Sequence, residues 1–120
     1  MGRVLIVEVH PHVRRRLARI LEGDGHRVAC AATRRQALAI SGAFDCVILD
    51  AEQQGEDGTP FAEELLKLGR TSSIVFHSAT ADPWIIDRAV RLGPLVKKGS
   101  RVGDFLATVG ASLVPQAAAG

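Results

Sequence analysis

Five short, mostly apolar runs recur along the chain, and a segment with helical periodicity follows each of them. The runs cover residues 3–8, 26–31, 46–50, 73–77 and 94–97. Runs of this length that are bounded by turn-forming residues are typical of strands buried in a sheet. Strands that alternate with helices predict right-handed βαβ units, and such units build a parallel sheet that helices cover on both faces.

The segments between the runs carry the signals of helices. In the first segment Pro11 suits the opening turn of a helix, where its missing N–H costs nothing. Val13, Leu17 and Leu21 then lie on one helical face. Capping residues are predicted at the start of the other four helices, at Thr33, Thr59, Asp82 and Ser100. The second helix is expected to extend to Ser41, and the apolar faces of the third and fourth are expected to contain Phe61, Leu65, Leu68, Ile86, Ala89 and Val90.

The number and order of these units predict the fold class. The chain is expected to form an α/β domain of the flavodoxin-like (βα)5 kind, doubly wound, with a five-stranded parallel sheet in the order 2-1-3-4-5. Its 120 residues are enough for one such domain and not for two. Residues 1–114 are predicted to form the domain, and residues 115–120 to form a disordered tail.

Polar residues stand at the carboxyl ends of four of the predicted strands. They are Glu8, Asp50, Ser78 and Lys97. The carboxyl ends of parallel strands lie along one edge of the sheet, where open α/β folds bind their ligands. We therefore expect these side chains to converge, with Asp50 at their centre.

Composition excludes several classes of protein. No apolar run approaches the roughly 20 residues that a membrane helix requires, and the N-terminus lacks the apolar segment and cleavage site of a signal peptide. Cys30 and Cys46 both lie in strand-like runs, which predicts small buried side chains in a reducing compartment and not a disulfide or a metal site. We therefore expect a cytoplasmic location and no contact with a membrane.

Positive charge is concentrated on the first helix, although the net charge is only +2. Arg14, Arg15, Arg16 and Arg19 lie mostly off the apolar face of that helix. No aromatic residues interleave with them, so direct binding of nucleic acid is not expected. A solvated helical face that contacts a partner protein is the better interpretation.

Taken together, these motifs resemble those of the receiver domain of two-component response regulators (CheY-like domains) over about residues 3–113. Asp50 matches the phosphoacceptor aspartate at the end of an apolar run, and residues 55–58 match the loop that follows it. Ser78, which alanine follows, matches the family's Thr/Ser-Ala pair. Lys97 matches the lysine that contacts the phosphoryl group.

The resemblance implies a function, a cofactor and partners. The function is acceptance of a phosphoryl group on Asp50 in a two-component phosphorelay, with Ser78 and Lys97 contacting the phosphoryl oxygens. Glu8, Asp50 and Glu52 would hold Mg²⁺. The implied partners are a sensor histidine kinase or phosphotransfer protein and a downstream effector protein, and the face of helix 4, strand 5 and helix 5 would serve homodimerisation. No enzyme activity on other substrates is implied.

The sequence departs from the family pattern in two places. Val9 occupies the position of the second acid after strand 1, which usually binds Mg²⁺ directly, so metal binding is expected to be weakened unless Glu8 or Glu52 compensates. Strand 5 is short, and the chain has no tyrosine for the aromatic position on that strand. The register of the two lysines is therefore open, with Lys98 as the alternative to Lys97.

Two other functions are compatible with parts of the pattern. The same fold without the chemistry would be a pseudo-receiver, a protein–protein interaction module that acts independently of phosphorylation, and Val9 favours it. Asp50, with Glu52 two residues later, is also similar to the Asp-x-Asp of haloacid-dehalogenase-type phosphohydrolases. That motif belongs on the first strand, whereas here it falls on strand 3 and no later acidic pair follows it. An enzyme of that kind is therefore not expected.

Overall fold

The computed structural model describes residues 2–113, and its centre is a five-stranded parallel sheet. In chain order the strands are β1 (Arg3–Val7), β2 (Arg27–Ala31), β3 (Cys46–Leu49), β4 (Ile74–Ser78) and β5 (Leu95–Lys97). They lie side by side as β2-β1-β3-β4-β5, so the predicted fold class and strand order are confirmed. From β1 the chain continues to β2 on one side of the sheet, and from β3 it continues to β4 and β5 on the other side. This change of direction opens a crevice at the carboxyl ends of β1 and β3.

A helix follows each strand of this sheet. The helices are α1 (Pro11–Gly23), α2 (Arg34–Ala39), α3 (Thr59–Lys67), α4 (Pro83–Leu92) and α5 (Val102–Leu113). Two of the predicted caps are present: Thr33 accepts a hydrogen bond from the backbone N–H of Gln36, and Asp82 accepts one from that of Trp84.

Two apolar layers, one on each face of the sheet, hold the helices in place. One layer joins strand residues such as Leu49 and Phe76 to α2, α3 and α4. The other joins residues such as Ile48 and Val75 to α1 and α5. Successive residues of a strand point to opposite faces, so a sheet that is covered on both faces requires continuous apolar runs.

The ends of three helices differ from the prediction. The helix α5 begins at Val102, so the residue that precedes it is Arg101 and Ser100 is not the cap. Thr59 is the buried first residue of α3 and Gly58 precedes it, so Thr59 is not the cap. The helix α2 ends at Ala39 and not at Ser41. The backbone becomes extended at the next residue, whose carbonyl accepts a hydrogen bond from the guanidinium of Arg70 and is therefore satisfied outside the helix.

Some apolar residues are more exposed than the sequence predicts. The buried face of α4 contains Ile85, whereas Val90 is exposed, and so is Leu68 at the end of α3. Cys46 is buried, but Cys30 is exposed because β2 is an edge strand of the sheet. The prediction that both cysteines are buried is wrong for Cys30.

A small antiparallel hairpin that was not predicted follows β3. It pairs Glu52–Gln53 with Glu56–Asp57. The two residues of its turn, Gln54 (φ 51°) and Gly55 (φ 81°), both adopt left-handed backbone conformations, as tight hairpin turns of this length require. The hairpin fixes the path of the chain immediately after Asp50.

Two further predictions concern the limits of the domain and the membrane. The proposed boundary at residue 114 and the tail at residues 115–120 lie outside the described residues. Within residues 2–113 no helix combines the length and the apolar character that crossing a membrane would require.

Candidate functional site

Asp50 lies at the carboxyl end of β3, and its two oxygens have different partners. Oδ1 accepts a hydrogen bond from the hydroxyl of Ser78, at 2.5 Å, and one from the backbone N–H of Glu52, at 3.0 Å. Oδ2 lies 2.9 Å from Nζ of Lys98. The side chain of Asp50 keeps 12% of its surface exposed, so one edge of the carboxylate is open to an incoming reactant.

Lys98 connects Asp50 to a second carboxylate. Its Nζ lies 2.9 Å from Oε1 of Glu8, which is buried, and Oε2 of Glu8 accepts a hydrogen bond from the backbone N–H of His10. Burial by itself would lower the pKa of Lys98, but the hydrogen bonds to Asp50 and Glu8 outweigh it and raise that pKa above its usual value. Lys98 is therefore a fixed positive charge between two carboxylates.

The expectation that Lys97 lies in the site is wrong, and the alternative, Lys98, takes that place. Lys97 is exposed at the end of β5. The alternation of side chains along β5 explains the difference: Val96 and Lys98 both line a cavity on the α1 and α5 side, whereas Lys97 has the opposite parity. The backbone N–H of Lys98 also donates to the carbonyl of Ser78, which fixes the lysine beside the end of β4.

A glycine shapes the backbone around Asp50. The N–H of Gly58 donates to the carbonyl of Ala51 at 2.7 Å. A Cβ atom added to Gly58 would lie 2.5 Å from the carbonyl oxygen of Asp50, so a side chain at this position would displace the backbone of the site. The glycine of the loop is thus needed for its close approach to Asp50.

Asp57, next to that glycine, belongs to a separate cluster. Its Oδ1 accepts hydrogen bonds from the backbone N–H and the hydroxyl of Thr59. Its Oδ2 contacts the guanidinium of Arg88 on α4, through Nε at 2.9 Å and Nη2 at 2.5 Å. Burial would raise the pKa of Asp57, but the hydrogen bonds from Thr59 and Arg88 outweigh it and lower the pKa.

Sequence reasoning missed one arginine that supports the site. The Nη1 of Arg14 donates to the carbonyl of Glu8 at 2.8 Å and, at 3.4 Å, to that of Val9. It thereby satisfies two backbone acceptors in the turn between β1 and α1. The arginine cluster on α1 is visible in the sequence, but no local pattern distinguishes Arg14 from its neighbours.

The residues present do not fit a directly coordinated Mg²⁺. Glu8 and Asp50 come together, but the ammonium of Lys98 lies between their carboxylates, and Glu52 contributes its backbone N–H. Val9 offers no side-chain oxygen, whereas Mg²⁺ requires near-octahedral oxygen ligation. Among residues 2–113 no group of three or more His, Cys, Asp and Glu side chains is placed to hold a metal.

His77 lies immediately before Ser78 and is half-buried, with its ring edge-on to that of Phe105 at 5.7 Å between ring centroids. Burial lowers its pKa, and the nearby charge of Lys98 lowers it further, against the opposing effect of the two carboxylates. The imidazole is therefore neutral at physiological pH. Its side chain lies on the α1 and α5 side of the sheet, next to Phe105.

The carboxylate of Asp50 is placed to react with an electrophilic group. A partly exposed carboxylate is a nucleophile, and a neighbouring hydroxyl, a backbone N–H and an ammonium group are donors that can stabilise negative charge on a group bound to it. These donors come from the ends of β3 and β4 and from the residue after β5, which the fold brings to one edge of the sheet.

Comparison with known proteins identifies what this geometry is similar to. The family model described as the response regulator receiver domain matches residues 4–98. A curated relative, the uncharacterised transcriptional regulatory protein YbdJ of Bacillus subtilis, is 34% identical over 80 residues. That match covers 67% of this chain and 36% of the relative, so the chain spans about a third of that protein's length.

Solved structures give the same picture over nearly the whole chain. The response regulator TrrA from Thermotoga maritima, in complex with Mg²⁺–BeF, is 27% identical with a TM-score of 0.80, and the match covers 94% of this chain and all of that one. The non-phosphorylated HemR receiver domain from Leptospira biflexa is also 27% identical, with a TM-score of 0.83 and 97% of each chain covered.

Proposed function

The chain belongs to the response regulator receiver family of two-component systems, and we propose that it accepts a phosphoryl group on Asp50 and relays this state through partner binding. The single observation that carries the proposal is the set of contacts at Asp50. A hydroxyl, a backbone N–H and an ammonium group all point at one carboxylate that remains partly open to solvent. Each of these donors suits the oxygens of a phosphoryl group.

The proposed step transfers a phosphoryl group from a donor to the carboxylate. An oxygen of Asp50 attacks phosphorus in line with the bond to the leaving group, and that bond breaks with its electron pair on the leaving group. The product is an acyl phosphate. Ser78 and Lys98 would then donate to the phosphoryl oxygens, and Lys98 would have to exchange part of its contact with the carboxylate for a contact with the new group.

Members of this family commonly bind Mg²⁺, and we expect the affinity of this chain for it to be reduced. The support is chemical: Val9 replaces an acid, and Lys98 already neutralises Glu8 and Asp50. The positive charge that phosphoryl transfer needs would come largely from Lys98, so the transfer is expected to be slower than at a site with a full set of metal ligands. No step of the proposal is routed through the metal.

The proposed partners follow from the family. Response regulator receiver domains interact with histidine kinases and with effector domains, and we propose that a sensor histidine kinase or a phosphotransfer protein donates the phosphoryl group here. An effector protein or domain would read the state of the site. The face formed by α4, β5 and α5 is proposed for homodimerisation or effector contact, and Val90 is an exposed apolar side chain of α4. The chain is proposed to act in the cytoplasm as a regulatory domain and not as an enzyme on other substrates.

Intact-mass measurement after incubation with acetyl phosphate tests the proposal. The protein is expected to gain the mass of one phosphoryl group, while Asp50→Asn gains none. The matched control is Asp57→Asn, which changes another aspartate of the same loop and is expected to keep the adduct. Parallel incubations with and without Mg²⁺ measure how far the reaction depends on the metal.

A second function competes with this one. In a pseudo-receiver the Lys98 contacts with Glu8 and Asp50 would serve as a permanent structural crosslink, and partners would bind regardless of phosphorylation. The absence of any adduct on the unchanged protein, with acetyl phosphate or with a cognate kinase, would overturn phosphoryl transfer and leave the pseudo-receiver. An adduct that Asp50→Asn abolishes would exclude the pseudo-receiver.

A further inference from the structure

The hairpin after β3 connects Asp50 to a second carboxylate. Its register places Glu52 directly opposite Asp57. The backbone N–H of Glu52 donates to Oδ1 of Asp50 at 3.0 Å, so one strand of the hairpin contacts the proposed phosphoacceptor. The ladder consists of two residue pairs, and an isolated two-stranded hairpin is marginally stable at best in water. The position of the Glu52 N–H therefore depends on contacts that hold the hairpin from outside.

Arg88 on α4 supplies such a contact. Its Nε and Nη2 lie 2.9 Å and 2.5 Å from Oδ2 of Asp57. Apart from Thr59, which follows the loop directly, no other side chain among residues 2–113 forms an ion pair or a hydrogen bond with a side chain of the hairpin. The contact between Asp57 and Arg88 is therefore the tie that joins the hairpin to a distant element.

The helix that carries Arg88 is a fixed support for this tie. Ile85 and Ala89 are buried in the apolar layer that α4 shares with α3. At the start of the helix Asp82 accepts a hydrogen bond from the backbone N–H of Trp84. Because packing and the cap both hold the backbone of α4, the guanidinium of Arg88 can restrain the hairpin.

We propose that Arg88 is a positioning residue for Asp50: through Asp57 and the hairpin it holds the N–H of Glu52 on Oδ1. That hydrogen bond, with the one from Ser78, fixes the rotation of the carboxylate and the direction in which its open edge meets a reactant. A misplacement of about 1 Å can lower the rate of a reaction by as much as 100-fold. The kinetic part of this inference rests on the proposed phosphoryl transfer, whereas the restraint on the Glu52 N–H does not.

Amide hydrogen exchange followed by NMR tests the restraint. Arg88→Met is expected to raise the exchange rate of the Glu52 amide roughly two- to fivefold, the size of effect that a water-accessible ion pair can have. The amide of Ala89 should keep its rate, because α4 itself stays folded. Arg91→Met is the matched control, since Arg91 pairs with Asp87 on the same helix, and it should leave the Glu52 amide unchanged. Arg88→Lys should give an intermediate rate, because an ammonium group keeps the charge without the planar geometry of the guanidinium.

Intact mass followed against time with acetyl phosphate tests the kinetic part. In Arg88→Met the adduct on Asp50 is expected to form roughly two- to fivefold more slowly, because the tie can contribute no more to the rate than its own strength. Arg91→Met should match the unchanged protein. Asp57→Asn breaks the same tie from its other end, so it should keep the adduct but form it more slowly. Combining it with Arg88→Met should slow the reaction no further.

Several results would contradict the inference. An unchanged exchange rate of the Glu52 amide in Arg88→Met would overturn it, and so would equal changes in Arg88→Met and Arg91→Met, which would indicate a general effect of charge on α4. Faster exchange with an unchanged rate of adduct formation would show that the tie does not position Asp50 for the reaction.

Failure of the proposed function gives a different result. Absence of an adduct on the unchanged protein would overturn phosphoryl transfer, and the exchange rates would still decide whether Arg88 holds the Glu52 N–H. Faster exchange and slower adduct formation in Arg88→Met but not in Arg91→Met, with partial recovery in Arg88→Lys, support the inference.

Discussion

Asp50 and Asp57 lie seven residues apart after the same strand, and each contacts one cationic side chain, yet the two carboxylates have different surroundings. The cation at Asp50 is Lys98, whose side chain is 21% exposed and which also contacts Glu8. The cation at Asp57 is Arg88, whose side chain is 45% exposed. Charges that water reaches interact weakly, whereas a buried charge that loses its partner is costly.

The two sites also differ in where their partners come from. Asp57 is held mainly by Thr59, two residues further along the chain, and Arg88 adds a contact from α4. The partners of Asp50 include Ser78 at the end of β4 and Lys98 after β5, which only the folded sheet brings together. The first cluster is largely a local turn, and the second depends on the whole topology.

Removal of the cation at Asp50 is expected to have the largest effect. Lys98→Met leaves two carboxylates, Glu8 and Asp50, close together and largely buried without a counter-charge. The free energy of unfolding should fall by about 2–4 kcal/mol at pH 7. Denaturant unfolding followed by circular dichroism measures the change.

The neighbouring lysine gives the control for that experiment. Lys97→Met removes a charge from an exposed side chain and is expected to change the free energy of unfolding by less than about 0.5 kcal/mol. Adding Glu8→Gln to Lys98→Met should recover part of the loss, because one of the two unpaired charges disappears. Equal effects of the two lysine substitutions would contradict the placement of Lys98 between the carboxylates.

A third carboxylate at the Asp50 site should change its metal affinity. Val9→Asp restores an acidic ligand beside Glu8, and we expect the affinity for Mg²⁺ to rise about tenfold or more. Isothermal titration calorimetry with MgCl₂ measures it. Val9→Asn, which adds an oxygen without a charge, is expected to give a smaller gain. Tight Mg²⁺ binding by the unchanged protein would show that Val9 does not limit the site.

The contrast between the two aspartates also explains which features could be read from the sequence. The strand order followed from the alternation of apolar runs and helices, and Asp50 and Ser78 were identified because each ends such a run. The choice between Lys97 and Lys98 depended on the side-chain parity of a three-residue strand. The sequence leaves that parity open, because Leu95 and Val96 are both apolar. The structure buries Val96 on the α1 and α5 face, and Lys98 lies on the same side.

Other features could not be predicted because they arise from contacts between distant segments. The pairing of Asp57 with Arg88 joins residues 31 positions apart on two exposed surfaces, and no periodicity marks it. Arg14 looks like any other member of the basic cluster on α1 until the turn after β1 is folded against it. The exposure of Val90 reflects a rotation of α4 by one residue, which an apolar pattern with two adjacent isoleucines leaves open.

A fall in pH should reduce the free energy of unfolding through His77, beside the Asp50 site, at higher pH values than through Asp57. The pKa of His77 is lowered in the folded protein, first by burial and then by Lys98. The unfolded chain therefore protonates His77 more readily than the folded protein does. The stability that this neutral imidazole contributes is fully present above pH 6.5 and is lost as the pH falls through the folded pKa. Between pH 7 and pH 5 the free energy of unfolding should decrease by at most about 2 kcal/mol from this group, the limit that a site with an unfolded pKa of 6.5 can reach over this range.

Replacement of the histidine isolates this effect. His77→Phe keeps an aromatic ring beside Phe105 and removes the titrating group, so the slope of stability against pH between 7 and 5 should flatten. Asp57 contributes nothing in that range, because its lowered pKa makes its contribution disappear only as the pH falls through values below 3.8. An unchanged slope in His77→Phe would assign the acid sensitivity to other groups.

Removal of the cation at Asp57 is expected to have the smallest effect. Arg88→Met breaks an ion pair that water reaches, and the carboxylate keeps its two hydrogen bonds from Thr59. The free energy of unfolding should fall by about 0.2–1 kcal/mol at low salt, and by less at high salt because mobile ions screen the pair. Arg91→Met is the matched control on the same helix, since Arg91 pairs with Asp87 at a more exposed site. A loss above about 2 kcal/mol in Arg88→Met alone would show that the Asp57 cluster, like the Asp50 site, depends on the tertiary structure.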